Sequence, residues 1–105
     1  MEFKKLSDFK GEEEAWGVIA ELIEPLGEIA EGGEIVKKFT SDTPKAEIAK
    51  YVIKNHKSPA TKILAILACV DYETFKETIT PGDILIGVVS VLNDKELVDL
   101  FMSQG

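Results

Sequence analysis

SPATKILAILACV, residues 58–70, holds eight apolar residues in succession from Ile63 to Val70, with no charge on any face. A surface helix carries one apolar stripe, whereas a helix that is apolar all round lies inside a bundle. The run is far short of the roughly 20 residues that a bilayer-spanning helix needs. A run this short would also fit a buried strand, because periodicity alone does not separate the two. The flanks favour helix: Ser58 is a good N-cap residue, and Pro59 falls at the first helical position, where its missing N–H costs nothing. Ala60, Ala65 and Ala68 support helix and let neighbours approach closely. The stretch reads as a buried central helix, with Cys69 a small hydrophobe inside it.

Toward the N-terminus, Ala15, Trp16, Ile19, Leu22, Ile23, Leu26, Ile29 and Ala30 recur at three- and four-residue steps, the stripe of an amphipathic helix. Glu12, Glu13 and Glu14 suit its positive end. Pro25 predicts a kink there, or two helices meeting. Glu21, Glu24, Glu28 and Glu31 share the opposite face and read as a solvated surface, and Gly32-Gly33 ends the segment. Ahead of it, Phe3, Leu6 and Phe9 have the spacing of one helical face; residues 1–10 dock on the domain or stay loose, and the sequence leaves both open.

Between these two helices, Glu34–Phe39 forms a short turn with Ile35, Val36 and Phe39 inward. Thr43-Pro44 then starts a helix over Lys45–His56 by the same cap-plus-proline device. Ile48, Ala49, Val52 and Ile53 make its buried face, and Lys50, Lys54 and Lys57 the wet one. His56 stands at the helix end, where a cation meets the negative end of the dipole.

Beyond Val70, the Tyr72, Phe75 and Ile79 spacing suits a short helical turn, and the aromatic and β-branched content also tolerates an extended segment. Thr80-Pro81-Gly82-Asp83 is a capping box that opens an apolar helix through Leu92. β-Branching in IGVVSVL competes with helix, but the caps on both sides favour it. Asn93-Asp94 stops that helix and caps the last one, Lys95–Met102. The expected architecture is an all-α bundle of about six helices, one domain over residues 1–105. Trp16, Ile19, Ile23, Ile48, Val52, Leu85, Val89, Leu97 and Phe101 are expected to pack toward Ile63–Val70.

Composition limits the function classes. Net charge is −7, with ten acids against three lysines in residues 1–34, seven lysines against two acids in 35–62, and seven acids against two lysines in 63–105. All twelve basic residues are lysine. Arginine is the usual reader of phosphates and base edges, so its absence and the acidic balance argue against nucleic acid as a partner. One histidine, one cysteine and no glycine-rich phosphate loop leave no nucleophile–base pair or metal set to assemble, so no catalytic residue, cofactor or metal is expected. With no apolar signal segment at the N-terminus and nothing of membrane-spanning length, the chain is expected to be soluble and intracellular.

The last stretch, SVLNDKELVDLFMSQG, resembles the C-terminal region of small tail assembly chaperones of phages and prophages of low-GC Gram-positive bacteria. The resemblance rests on Leu92, Asn93 and Asp94 at a helix end, followed by Glu96, Leu97, Leu100 and Phe101 in a short helix. The opening MEFKKLSDFKGEEE, the segment IEPLGEIAEGGEIVKKF and the lysine-rich PKAEIAKYVIKNHKS before an ILAIL helix follow the same order. Lys95 departs from a proline often found after the Asp, and DYETFKETITPGD is left unmatched. The resemblance implies a non-enzymatic protein of the bacterial host cytoplasm. Its partners would be the tape measure protein, which it keeps soluble, and the tail tube protein assembled around it. A different reading is an acidic helical adaptor or inhibitor that binds another cellular protein.

A client surface of this kind must be apolar and partly exposed. Phe3, Leu6 and Phe9 at one end of the chain, and Leu100, Phe101 and Met102 at the other, are the candidate partner-binding residues. Both sets lie near termini, where few neighbours cover them, and a homo-oligomer would draw on the same surface.

Overall fold

The computed structural model describes residues 1–104. A 3-10 turn at Leu6–Asp8 precedes seven α-helices among the described residues: α1 (Glu12–Ala30), α2 (Glu34–Thr40), α3 (Lys45–Asn55), α4 (Lys57–Ala68), α5 (Tyr72–Thr78), α6 (Pro81–Asn93) and α7 (Lys95–Gln104). The all-α expectation holds, with one helix more than the half-dozen read from the sequence. That extra element is α5, in the segment where the sequence left helix and extended chain open. Asp71 settles it by accepting the Thr74 N–H at 3.2 Å as an N-cap, and Phe75 is fully buried.

Helix α4 is the hub, lying against α1, α3, α5 and α6. Ile63, Leu64, Ala65 and Leu67 are buried, each at 2% exposure or less. Leu22, Leu26 and Ile29 of α1, Ile35 of α2, Ile48 and Val52 of α3, Phe75 of α5 and Leu97 and Phe101 of α7 complete the core. Helix α7 packs on α1, α2 and α6, with the Phe101 ring 5.9 Å from that of Phe39.

Several expectations are corrected. Helix α4 begins two residues early, with His56 at its N-cap, so Ser58 and Pro59 lie within the first turn. Proline is tolerated there because first-turn N–H groups have no intrahelical acceptor. Likewise Pro44, not Thr43, occupies the N-cap of α3. Cys69 is exposed: α4 ends at Ala68, and Cys69 adopts a left-handed conformation (φ 57°) while Val70 N–H closes the helix end on Ala65 O at 3.0 Å. Helix α1 runs through Pro25 unbroken. The carbonyl freed by the proline belongs to Glu21, an exposed residue, so the lost bond does not fall at a core position.

The expected core also loses four members. Trp16 is 74% exposed, Leu85 58%, Ile23 50% and Val89 44%. Ile19 is half-buried, and Ile48, Val52, Leu97 and Phe101 are core as expected.

The N-terminal segment is docked. Lys4 N–H reaches Leu67 O at 2.9 Å at the end of α4, and Leu6 N–H reaches Asp94 Oδ2 at 2.8 Å. The Phe3 ring meets Phe75 edge-on at 6.3 Å. Asp94 is buried and its other oxygen, Oδ1, caps α7 by accepting the Glu96 N–H at 3.2 Å. One residue therefore ends α6, its backbone N–H donating to Val91 O at 3.1 Å, while its carboxylate starts α7 and ties down the N-terminal strap.

Candidate helix-binding groove

The two terminal sets proposed from sequence have mostly structural surroundings. Phe3, Leu6 and Phe9 are half-buried against the core. Leu100 is half-buried, Phe101 is 3% exposed and Met102 is 39% exposed. Five of the six pack on or within the core, and Met102 alone stands open to solvent.

The larger apolar opening lies between α3 and α6. Its capping box makes α6 helical from Pro81 on: Thr80 Oγ1 accepts the Asp83 N–H and Asp83 Oδ2 accepts the Thr80 N–H, both at 3.2 Å. One face of α6 (Val88, Val91, Leu92) turns into the core, and Gly87 packs closely, since a Cβ there would sit 2.7 Å from Leu64 Cδ2 and 3.0 Å from Phe3 Cζ. The helix is apolar round most of its circumference, so Leu85, Ile86 and Val89 remain on the outside. On α3, Ile48, Ala49 and Val52 turn inward, leaving Ala46 and Ile53 beside them at the surface.

The result is a groove of about 460 Å³, floored by the buried Ala49 and Leu92 and walled by Ala46 and Ile53 on one side and Leu85 and Val89 on the other. Lys45, Lys50 and Lys54 form its rim. Lys45 Nζ crosses the end of the groove to donate to Asn93 Oδ1 at 2.6 Å. None of the three lysines has an ion-pair partner among the described residues. An aliphatic trough with a cationic edge is chemically suited to an amphipathic helix that carries carboxylates beside its apolar stripe.

The other notable side chains lie outside this groove. A hollow of about 560 Å³ between α1, α4 and α5 is edged by Glu21, Glu24, Lys62, Cys69 and Asp71. His56 Nε2 is 3.3 Å from the Tyr51 hydroxyl, and its backbone N–H closes α3 on Val52 O at 2.8 Å. The Glu73 carboxylate, 3.0 Å from Lys76 Nζ on the surface of α5, raises the lysine above its ordinary value by hydrogen bonding first and by charge second. No three His, Cys, Asp or Glu residues among those described converge as a metal site, and no described helix is long and apolar enough to cross a membrane.

Sequence reasoning missed the groove because it placed Leu85 and Val89 inside. The available signal was the near-continuous apolar character of α6, which exceeds what one buried face can use. No family model, curated protein or solved structure matches this chain.

Proposed function

We propose that this protein is a helix-binding assembly chaperone of a phage or prophage tail, and that it keeps the tape measure protein soluble by seating a client helix between α3 and α6. The observation that carries the reading is the lysine-rimmed aliphatic groove itself. A client that forms long amphipathic helices would aggregate through its apolar stripe, and a trough of matching character covers that stripe. Its walls are aliphatic and offer no aromatic ring on which a nucleic-acid base could stack.

The similarity to tail assembly chaperones supports the same reading from the sequence side. Its residues serve the scaffold: Leu92, Leu97 and Phe101 are core, and Asp94 is the cap that joins α6, α7 and the N-terminal strap. The family-like motif would then maintain the frame that holds α6 beside α3, while the groove makes the contact.

The test is co-production with the tape measure protein that this reading expects to be encoded beside it. The wild-type chain is expected to hold that protein in the soluble fraction, and Leu85→Glu, which puts a carboxylate into the groove, is expected to let it precipitate. A tape measure protein that precipitates with the wild-type chain, or stays equally soluble with Leu85→Glu, overturns the proposal.

A further inference from the structure

A second apolar stripe lies exposed on the same molecule. On α1, Trp16, Ala20 and Ile23 face away from the core at steps of four and three residues, and all three are exposed. Glu13 and Glu24 flank that stripe, with Glu21 and Glu28 further round the helix. Among the described residues, the acid-rich helix makes one ion pair, Glu14 with Lys4 at 3.9 Å.

The stripe and the groove match in three respects. Trp16, Ala20 and Ile23 repeat the spacing of Leu85 and Val89 on the groove wall and Leu92 at its floor, and each set covers seven residue steps, or about 10 Å of helix. The opposite wall, Ala46 to Ile53, covers the same length. Charges are opposite: carboxylates border the stripe, whereas Lys45, Lys50 and Lys54 border the groove without ion-pair partners among the described residues. The uneven charge along the chain, acidic through residue 34 and basic over 35–62, is thereby sorted onto two surfaces of one fold.

We infer that, without a client, the groove is occupied by the acidic face of α1 from a second copy of this chain. The stripe and the groove are different surfaces, so the contact is head-to-tail, and it propagates to a ring or an open chain because every joined pair keeps one free groove and one free stripe. Self-docking then covers the apolar groove until a client helix displaces α1. The inference rests on reading the groove as a seat for a helix, and it is independent of which protein the client is.

The test is sedimentation of the purified chain across a concentration series, with no client present. Wild type is expected to associate, and more weakly as salt screens the lysine–carboxylate pairing. Trp16→Glu and Leu85→Glu change exposed positions, so both are expected to keep the wild-type circular dichroism and to sediment as monomers. Mixed together, they are expected to form a 1:1 heterodimer, because the first retains an intact groove and the second an intact stripe. Trp16 is the single tryptophan, so its emission in the Leu85→Glu chain is expected to shift to the blue on mixing.

A wild-type chain that stays monomeric throughout overturns the inference, as does a mixture that gives no heterodimer. Ile23→Glu with Val89→Glu repeats the pairing at independent sites if either first variant fails to fold. The client reading fails separately: association can be seen while the tape measure protein still precipitates, and the reverse holds too. If both readings stand, Trp16→Glu binds client more tightly than wild type, since its groove has no competing helix.

Discussion

Helices α4 and α6 each carry a long apolar run, and they use that character differently. In α4, ILAIL lies under α1, α3, α5 and α6, and Ile63, Leu64, Ala65 and Leu67 are all but sealed. In α6, ILIGVVSVL is at least as apolar, yet Leu85, Ile86 and Val89 stand open. The difference lies in what neighbours the topology supplies. Helix α6 touches α3, α4 and α7, with the ring of Phe3 close beside Gly87, and nothing among the described residues covers its remaining side. Apolar content thus measures how much surface a helix could bury, and the packing partners decide how much it does.

The largest effect expected from this contrast falls on α4. Leu67 is 1% exposed at the centre of the core, so Leu67→Ala is expected to cost ~2–5 kcal/mol through lost transfer energy and a residual cavity. Denaturant melts of the two chains measure it. A cost below ~1 kcal/mol would mean that the site collapses freely, and α4 would lose its status as the sealed helix.

A smaller effect is expected at the joint between the two helices. Asp94 holds the N-terminal strap by Leu6 and caps α7 through Glu96, while the strap itself bonds to Leu67 O at the end of α4. Asp94→Ala removes a cap worth about 0.5–2 kcal/mol and leaves a half-buried N–H without its acceptor, at about 1 kcal/mol more. Hydrogen exchange should then quicken at the amides of Lys4 and Leu6 before the rest of the fold responds. Unchanged exchange there would show that ring packing alone, Phe3 on Phe75 and Gly87, holds the strap over α6.

Local features were readable in the sequence to the extent that local chemistry sets them. The Thr80–Asp83 capping box, the Gly32-Gly33 stop and the inward turn of Ile35, Val36 and Phe39 depend on residues a few positions apart, and each is found where the spacing put it. Asp94 was readable only in half: its cap on α7 is local, but its bond to Leu6 joins residues 88 positions apart. The groove was not readable, because the two walls come from separate helices and its existence depends on a neighbour that α6 lacks. Trp16 failed for the same reason. Its spacing continues the α1 stripe, but the core takes Val18, Leu22, Leu26 and Ile29, which leaves the ring on the outer side of the helix.

The smallest expected effect is the most informative about α6. Leu85→Gln removes apolar area from a side chain that is already 58% exposed, and glutamine has nearly the helix propensity of leucine. In dilute solution the substitution is therefore expected to change stability by no more than ~0.5 kcal/mol, against several for Leu67→Ala. At high concentration the outcome should differ. If α1 of a second copy seats on Leu85, the native state gains a ligand that the unfolded chain does not bind, and wild-type stability rises with concentration. Leu85→Gln should blunt that rise, so that the two chains melt together when dilute and separate when concentrated. Melts that stay superimposed at every concentration would show that the open side of α6 is free of self-contact. A large cost already present in dilute solution would show that α6 is covered within the monomer, and the contrast with α4 would vanish.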